Sequence, residues 1–273
     1  MPEPGKTIVL KFGGSAFQPE ALRPFAERVR AYVSGGHRVV IVHGGGKEIN
    51  AMLDALKIKS VFIDGLRVTD ETTLNVVEMV LCGHVNKAIV RALLSAGIPA
   101  IGVSGQDGAI LLAHPLQVEK TDSSGQRIMI DYGHVGEVER VNRDPLESML
   151  GSRMVPVIAP LGLSSQGKPL NLNADTAAAA IAGALEADIF ALLTDVPGVL
   201  VPTDGTKSVA PLLTAADIAR LKQDGTVSGG MIPKVDCCLI ALRGGARSSL
   251  IASMDAFSAG QDFGGTRIVE DAP

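Results

Sequence analysis

Short runs of Val, Ile and Leu, several of them closed by glycine and each followed by an amphipathic stretch, constrain this chain more than any other feature. TIVLKF (7–12), RVVIVHG (38–44), PAIGVS (99–104), MVPVIAPL (154–161), DIFALLT (188–194) and SSLIAS (248–253) read as strands. Between them, PEALRPFAERVRAYVSGG, KEINAMLDAL, TDETTLNVVEMVLCGHVNKAIVRALLSAG, NADTAAAAIAGALEA and MIPKVDCCLIALRGG carry helical spacing, and three close on glycines suited to helix C-termini. Strands that alternate with helices in this way form an open, mainly parallel sheet sandwiched by helices, an α/β fold. Residues 112–142 break the rhythm, because QVEKT, RIMIDY and GEVERV alternate apolar and polar positions around DSSG and GHVG. This stretch is expected to be an inserted β-hairpin region at one edge of the sheet, serving as a lid or substrate wall or simply as an edge hairpin.

A chain of 273 residues with 46% hydrophobic content has enough apolar surface for a large core. Cys82, Cys237 and Cys238 are few, odd in number and without CxxC or Cys/His spacing, which argues against a disulfide framework or a zinc site and fits a reducing cytoplasm. No apolar run reaches membrane-spanning length and MPEPGKTIVLKF does not resemble a leader, so a soluble, non-exported protein with no membrane partner is expected. The net charge of −4 is spread without a basic block, which argues against a nucleic-acid partner. A small anionic ligand would need positive charge concentrated locally.

The glycine loops could supply that. KFGGS (11–15) ends a strand with a lysine and then places Gly13 and Gly14, which strands disfavour, where backbone must approach something closely. HGGGKEIN (43–50) sits between a strand and a helix start. Its spacing matches neither a P-loop nor a dinucleotide fingerprint, and by itself it is equally a tight turn in which His43 fixes the loop's shape. Asn171, Asn173 and Asp175 cluster at another helix start, where one N-cap would suffice. VSGGMIPK repeats the glycine–lysine logic: Gly229 and Gly230 precede a helix whose first turn holds Pro233 and Lys234, a cation at the wrong end of the dipole for stability.

Taken in order, KFGGS, HGGGKEIN, GLRVTD (65–70), NLNADTAAAA, LLTDVPGV (192–199) and GGMIPK resemble the amino acid kinase family, and within it the N-acetylglutamate kinase branch. The resemblance spans nearly the whole chain. It implies phosphoryl transfer from ATP, with Mg2+ as the nucleotide's counterion, to the γ-carboxylate of N-acetyl-L-glutamate. A carboxylate is ionised at neutral pH and needs no general base. It needs relief from repulsion, about 4 kcal/mol for two like charges about 4 Å apart at an effective dielectric near 20. The resemblance implies Lys11 on the γ-phosphoryl side, Lys234 toward the leaving phosphate, and Asp175 pairing with both, a position that also reads as an ordinary N-cap. It implies backbone donors at Gly14 and Gly45, and an acceptor pocket of Gly44, Gly45, Gly65, Arg67 and Asn171. It further implies nucleotide contacts at Gly13, Gly14, Asp195, Gly229, Gly230 and Lys234, with no dedicated metal cage. Without it, Arg67 would pass for a surface arginine and Asp195 for a turn residue before Pro-Gly.

The resemblance divides the chain into an acceptor-binding and dimerising lobe (1–185) and an ATP lobe (186–273). The vicinal cysteines read as core. The same-fold rival is a kinase for a longer aminoadipate derivative; the rival of another class is a ligand-binding regulator without turnover. RGGARSSLIASMDAFSAGQDFGGTRI lacks the His and Asp-Gly-Arg elements of arginine-inhibited relatives, and the first strand begins within a few residues of the start, so an arginine-insensitive homodimer is expected. Millimolar arginine should leave the rate of ADP release unchanged; strong inhibition would contradict this reading.

Overall fold

A computed structural model describes residues 5–13, 19–121, 125–203, 206–258 and 264–270. Eight strands form one sheet in the order Leu212–Thr214, Thr266–Val269, Ser249–Ser253, Ile189–Thr194, Thr7–Phe12, Arg38–His43, Val155–Ala159, Ala100–Ser104. The last six run parallel to one another. Thr266–Val269 turns antiparallel to Ser249–Ser253 and carries Leu212–Thr214 in its own direction. The continuous apolar runs follow from burial on both faces. Val9, Val40, Val42, Phe190 and Leu192 pack into one core, while Ile8, Leu10, Phe12, Val39 and Ile41 enter the other. Residues before and after position 185 therefore share one sheet, joined where Thr7–Phe12 pairs with both Ile189–Thr194 and Arg38–His43.

The helical stretch expected over 69–97 is interrupted. Asp70 caps the helix Glu71–Glu78 by accepting the Thr73 N–H at 2.7 Å. Met79–Val85 then widens into a π-helix before Asn86–Ser95 resumes α geometry. The Ala-rich helix Ala174–Ala184 lies against Met231–Arg243. Small residues permit that approach: a Cβ on Gly183 would sit 2.8 Å from the Gly244 Cα. Cys237 and Cys238 are buried there, in the core as expected. No helix among the described residues is long and apolar enough to cross a membrane.

The inserted region departs from the sequence reading. Val118–Thr121 and Arg127–Ile130 do form an antiparallel hairpin. Leu111–Pro115 and Val135–Val141 do not extend the main sheet; with Leu161–Leu163 and Pro169–Leu172 they close a separate four-stranded barrel. Closure leaves no unpaired edge, and it buries Leu111, Ala113, Leu161, Leu170 and Leu172. MVPVIAPL accordingly splits into two strands at Pro160, which has no N–H for a ladder and whose carbonyl accepts from Leu172 N–H at 3.0 Å. The strands Leu200–Thr203, Thr206–Val209, Leu212–Thr214 and Thr266–Val269 are too short and polar to stand out as apolar runs.

Gly183→Ala should force the two helices apart and cost about 1–3 kcal/mol, read as a lower denaturation midpoint. Gly151→Ala, whose Cβ meets nothing within 4 Å, should not lower it. Equal midpoints for wild type and Gly183→Ala would refute the close-contact account.

Candidate active site

Open α/β sheets bind ligands beyond the carboxyl ends of central strands, where the chain's direction of travel across the sheet reverses. Here those strands are Ile189–Thr194, Thr7–Phe12 and Arg38–His43, with Lys11 level with Leu192 and Val42, and Phe12 level with Leu193 and His43. Beyond them lies a cavity of about 320 Å³ lined by Lys11, Gly13, Lys47, Asp175, Asp195 and Lys234, among others. Lys47, Asp175 and Lys234 each come from the first turn of a helix: Gly46–Ala55, Ala174–Ala184 and Met231–Arg243.

The three helix starts differ in what they offer. At the first, no side chain caps the helix at Gly45, so its leading N–H groups are available to an anion. At the second, the Asn173 side chain accepts from Asp175 N–H at 2.8 Å and Thr176 N–H at 3.2 Å. Asn173 is thus the N-cap, which leaves the Asp175 carboxylate free for another task. At the third, Met231 and Ile232 donate back to the carbonyls of Ser228 and Gly229, and Pro233 has no N–H. Gly229 adopts φ 53°, the left-handed region glycine favours, and with Gly230 shapes the turn before the helix. What this end presents to the cavity is the Lys234 side chain.

Lys11 Nζ lies 2.8 Å from Asp175 Oδ1. That oxygen accepts no well-aligned hydrogen bond, so the pair is an electrostatic contact more than a directed bond. The lysine folds back over Gly13, where a Cβ would stand 1.8 Å from Nζ. Any side chain at position 13 would displace the ammonium from its carboxylate, which answers why glycine follows this strand. Gly14 lies outside the described residues. The expected pairing of Asp175 with both lysines is corrected: Lys234 Nζ instead donates to the Gly230 carbonyl of its own helix turn, at 3.3 Å. The Asp195 carboxyl is held below its ordinary range, chiefly by the Thr194 hydroxyl donating at 2.9 Å, with smaller help from Lys234 and Lys47. Sequence reasoning missed Lys47, although its place directly after the glycine loop was a signal.

A second cavity of about 210 Å³ lies across the same helix starts, with Gly46 and Ala174 on this side of Lys47 and Asp175. Gly44, Gly45, Gly65, Arg67 and Asn171 line it, together with Phe62 and Leu81. Arg67 is buried, not a surface arginine. Its guanidinium donates to Asn50 Oδ1 at 2.6 Å and Ser60 Oγ at 3.0 Å, and stacks 4.7 Å above the Phe62 ring. Burial lowers its pKa, and among the described residues no carboxylate pairs with it. A buried guanidinium surrounded by neutral acceptors is matched to a carboxylate ligand. Asn50 and Ser60 were invisible in sequence, because only the fold brings them to Arg67. Asn171 donates to the Thr69 hydroxyl at 3.2 Å. The Gly44 N–H is committed to Phe12 O at 2.9 Å, so Gly44 contributes wall and not a donor.

Behind this wall His43 is fully buried, and burial lowers its pKa to about 4, with a nearby Lys87 adding to the effect. The Gly44 carbonyl, 2.8 Å from Nδ1, can only accept, so Nδ1 carries the proton and Nε2 is free to accept from Asn86 Nδ2 at 3.2 Å. A neutral buried histidine favours the folded state fully above its unfolded pKa of about 6.5, and that contribution is lost as pH falls through about 4. The His43 ring should stay neutral by NMR down to about pH 4, with about 3 kcal/mol of stability lost across the interval. Titration near 6.5 would contradict the assignment.

Comparison with known proteins identifies the family. The model of the amino acid kinase family matches residues 6–253. The acetylglutamate kinase of Gluconacetobacter diazotrophicus is 47% identical over 248 residues, 90% of this chain and 78% of that one. That of Novosphingobium aromaticivorans is 45% identical over 254 residues, 90% and 83% of the two chains. The crystal structure of smu.665 from Streptococcus mutans UA159 superposes with a TM-score of 0.78 at 30% identity, covering 97% of this chain and 99% of that one. Giardia carbamate kinase, at 17% identity and a TM-score of 0.72 over 98% and 99% of the two chains, shares the fold. With residues 6–253 matched by the family model and relatives 45–47% identical over nine-tenths of its length, the chain belongs to the amino acid kinase family.

Proposed function

We propose that the chain transfers the γ-phosphoryl group of ATP to the γ-carboxylate of N-acetyl-L-glutamate, an arginine-biosynthetic step yielding N-acetyl-L-glutamyl 5-phosphate and ADP. The observation that carries this reading is the pair of adjoining cavities: one collects Lys11, Lys47 and Lys234, the other holds the buried Arg67, which has no carboxylate partner among the described residues. The relatives named acetylglutamate kinase support the choice of acceptor over a longer aminoadipate derivative, and the presence of both lysines with Asp175 supports turnover over a silent binding role.

Arg67 takes the acceptor's α-carboxylate in two parallel hydrogen bonds, and Asn171 takes its amide region. The γ-carboxylate then points at the boundary between the cavities, where Lys11 and the Gly45 N–H offset charge on the moving phosphoryl group; Gly14 is the other donor that the family resemblance implies. Lys234 faces the leaving phosphate, and Asp175 keeps Lys11 in place. Gly13 lets the chain pass close, Asp195 orients the nucleotide side, and Gly229 and Gly230 set the start of the Lys234 helix. The lysine-lined cavity suits a polyphosphate. Mg2+ would accompany ATP as the counterion of its phosphates and would supply positive charge beside Lys11, Lys47 and Lys234. Residues 1–185 serve acceptor binding and dimerisation, and 186–273 serve ATP, in a cytoplasmic homodimer.

Lys11→Met and Lys234→Met should each lower kcat about 10²–10³-fold, and Arg67→Ala should raise the KM for acetylglutamate more than that for ATP. Coupled ADP release compared across N-acetylglutamate, glutamate and N-acetylaminoadipate tests the acceptor. Preference for the unacetylated or the longer acid would overturn it.

A further inference from the structure

The peptide joining Gly44 to Gly45 touches both the acceptor cavity and a buried polar network. His43 Nδ1–H donates to the Gly44 carbonyl at 2.8 Å. A trans peptide points its carbonyl and its N–H in opposite directions, so pinning the Gly44 oxygen toward His43 turns the Gly45 N–H away from it. Among the described residues no backbone carbonyl accepts that N–H, and Gly45 lines the cavity. Two neighbouring glycines would otherwise let this peptide flip at little cost.

His43 is itself held. Asn86 is fully buried, and its amide nitrogen donates to His43 Nε2 at 3.2 Å and to the Val157 carbonyl at 2.8 Å. Its oxygen accepts from Lys87 Nζ at 3.1 Å; an ammonium can only donate, so the amide cannot be flipped. Lys87 Nζ also donates to the Gly102 carbonyl at 2.9 Å. Gly102 opens the space for both: a Cβ there would lie 1.9 Å from Asn86 Oδ1 and 2.8 Å from Lys87 Nζ. The π-helix Met79–Val85 delivers Asn86 to this position and presses on the loop from the other side, since a Cβ on Gly45 would meet Leu81 Cδ2 at 2.6 Å and Val85 Cγ2 at 3.2 Å. π-Helical insertions recur where a side chain must be re-aimed for function.

We propose that His43 is a positioning residue for phosphoryl transfer: locked by Asn86, its imidazole holds the Gly44–Gly45 peptide so that the Gly45 N–H faces the migrating group. This rests on the reading of Gly45 as a transition-state donor. The role separates from bulk packing because the two ring nitrogens have different partners, and each can be replaced alone. Asn at position 43 places an amide N–H near Nδ1, while Gln places its amide near Nε2.

The test measures ADP release by the full-length chain with ATP and N-acetylglutamate for His43→Asn, His43→Gln and His43→Leu. Loss of one donor is worth about 10²-fold, so the Gln and Leu variants should fall about 10²-fold in kcat while both KM values stay within about threefold. The Asn variant should stay within about tenfold of wild type. Gln or Leu variants within about threefold of wild type in kcat, an Asn variant as impaired as Gln, or a change confined to KM would each overturn the positioning role. The wild-type chain gives an independent readout: the Gly45 amide resonance should move downfield when ADP, aluminium fluoride and N-acetylglutamate are added, and an unmoved resonance overturns the proposal. A wild-type chain that releases no ADP with N-acetylglutamate would instead remove the functional reading beneath it.

Discussion

The hydrogen-bonded register of Thr7–Phe12 between Arg38–His43 and Ile189–Thr194 is the constraint on which the site depends. Three parallel strands held level must release their chains at one edge, and the residues that follow them must meet there. Lys11 and Gly13, the Gly44–Gly46 loop, and Thr194 with Asp195 become neighbours for this reason, although they are distant in sequence. Burial on both faces enforces the register, because a slip by one residue would exchange the two cores.

Around that edge the molecule concentrates positive charge in a chain whose net charge is negative. Three lysines line one cavity with Asp175 and Asp195 to moderate them, and among the described residues only Lys11 of the three pairs with a carboxylate at short range. The cations stay useful because they are incompletely satisfied. Arg67 follows the same logic next door, held in place by neutral oxygens that orient it without neutralising it.

Much of this was legible in the sequence, for identifiable reasons. Apolar runs longer than alternation allows revealed two-faced strands, and glycines where strands must end revealed Gly13 and Gly45. Asp175 stood out as one of three cap-type residues at a helix start where one would suffice, and the structure identified Asn173 as the cap. What escaped depended on contacts that no local pattern encodes. The barrel was misread as an edge insertion because alternating strands look the same whether they extend a sheet or close on themselves. Asn50, Ser60 and Asn86 are ordinary helix or loop residues until tertiary folding brings Arg67 or His43 to them. That His43 shapes its loop was readable in the sequence, but its lock by Asn86 was not, because that partner lies 43 residues away and only tertiary folding brings it to the ring.

The contact between Gly183 and Gly244 bears on the site from the far end of two helices. Those helices pack side by side from that joint toward the first turns that carry Asp175 and Lys234, so by a caliper's geometry a small angle at the joint becomes a larger gap at the cavity. Asp175 lies roughly 12 Å from the pivot at 1.5 Å per residue, and a tilt of about 5° there opens the jaw by about 1 Å. Displacements of that size are enough to cost about a hundredfold in rate. Two residues lacking side chains altogether thereby bear on the spacing of Asp175 and Lys234 at the cavity.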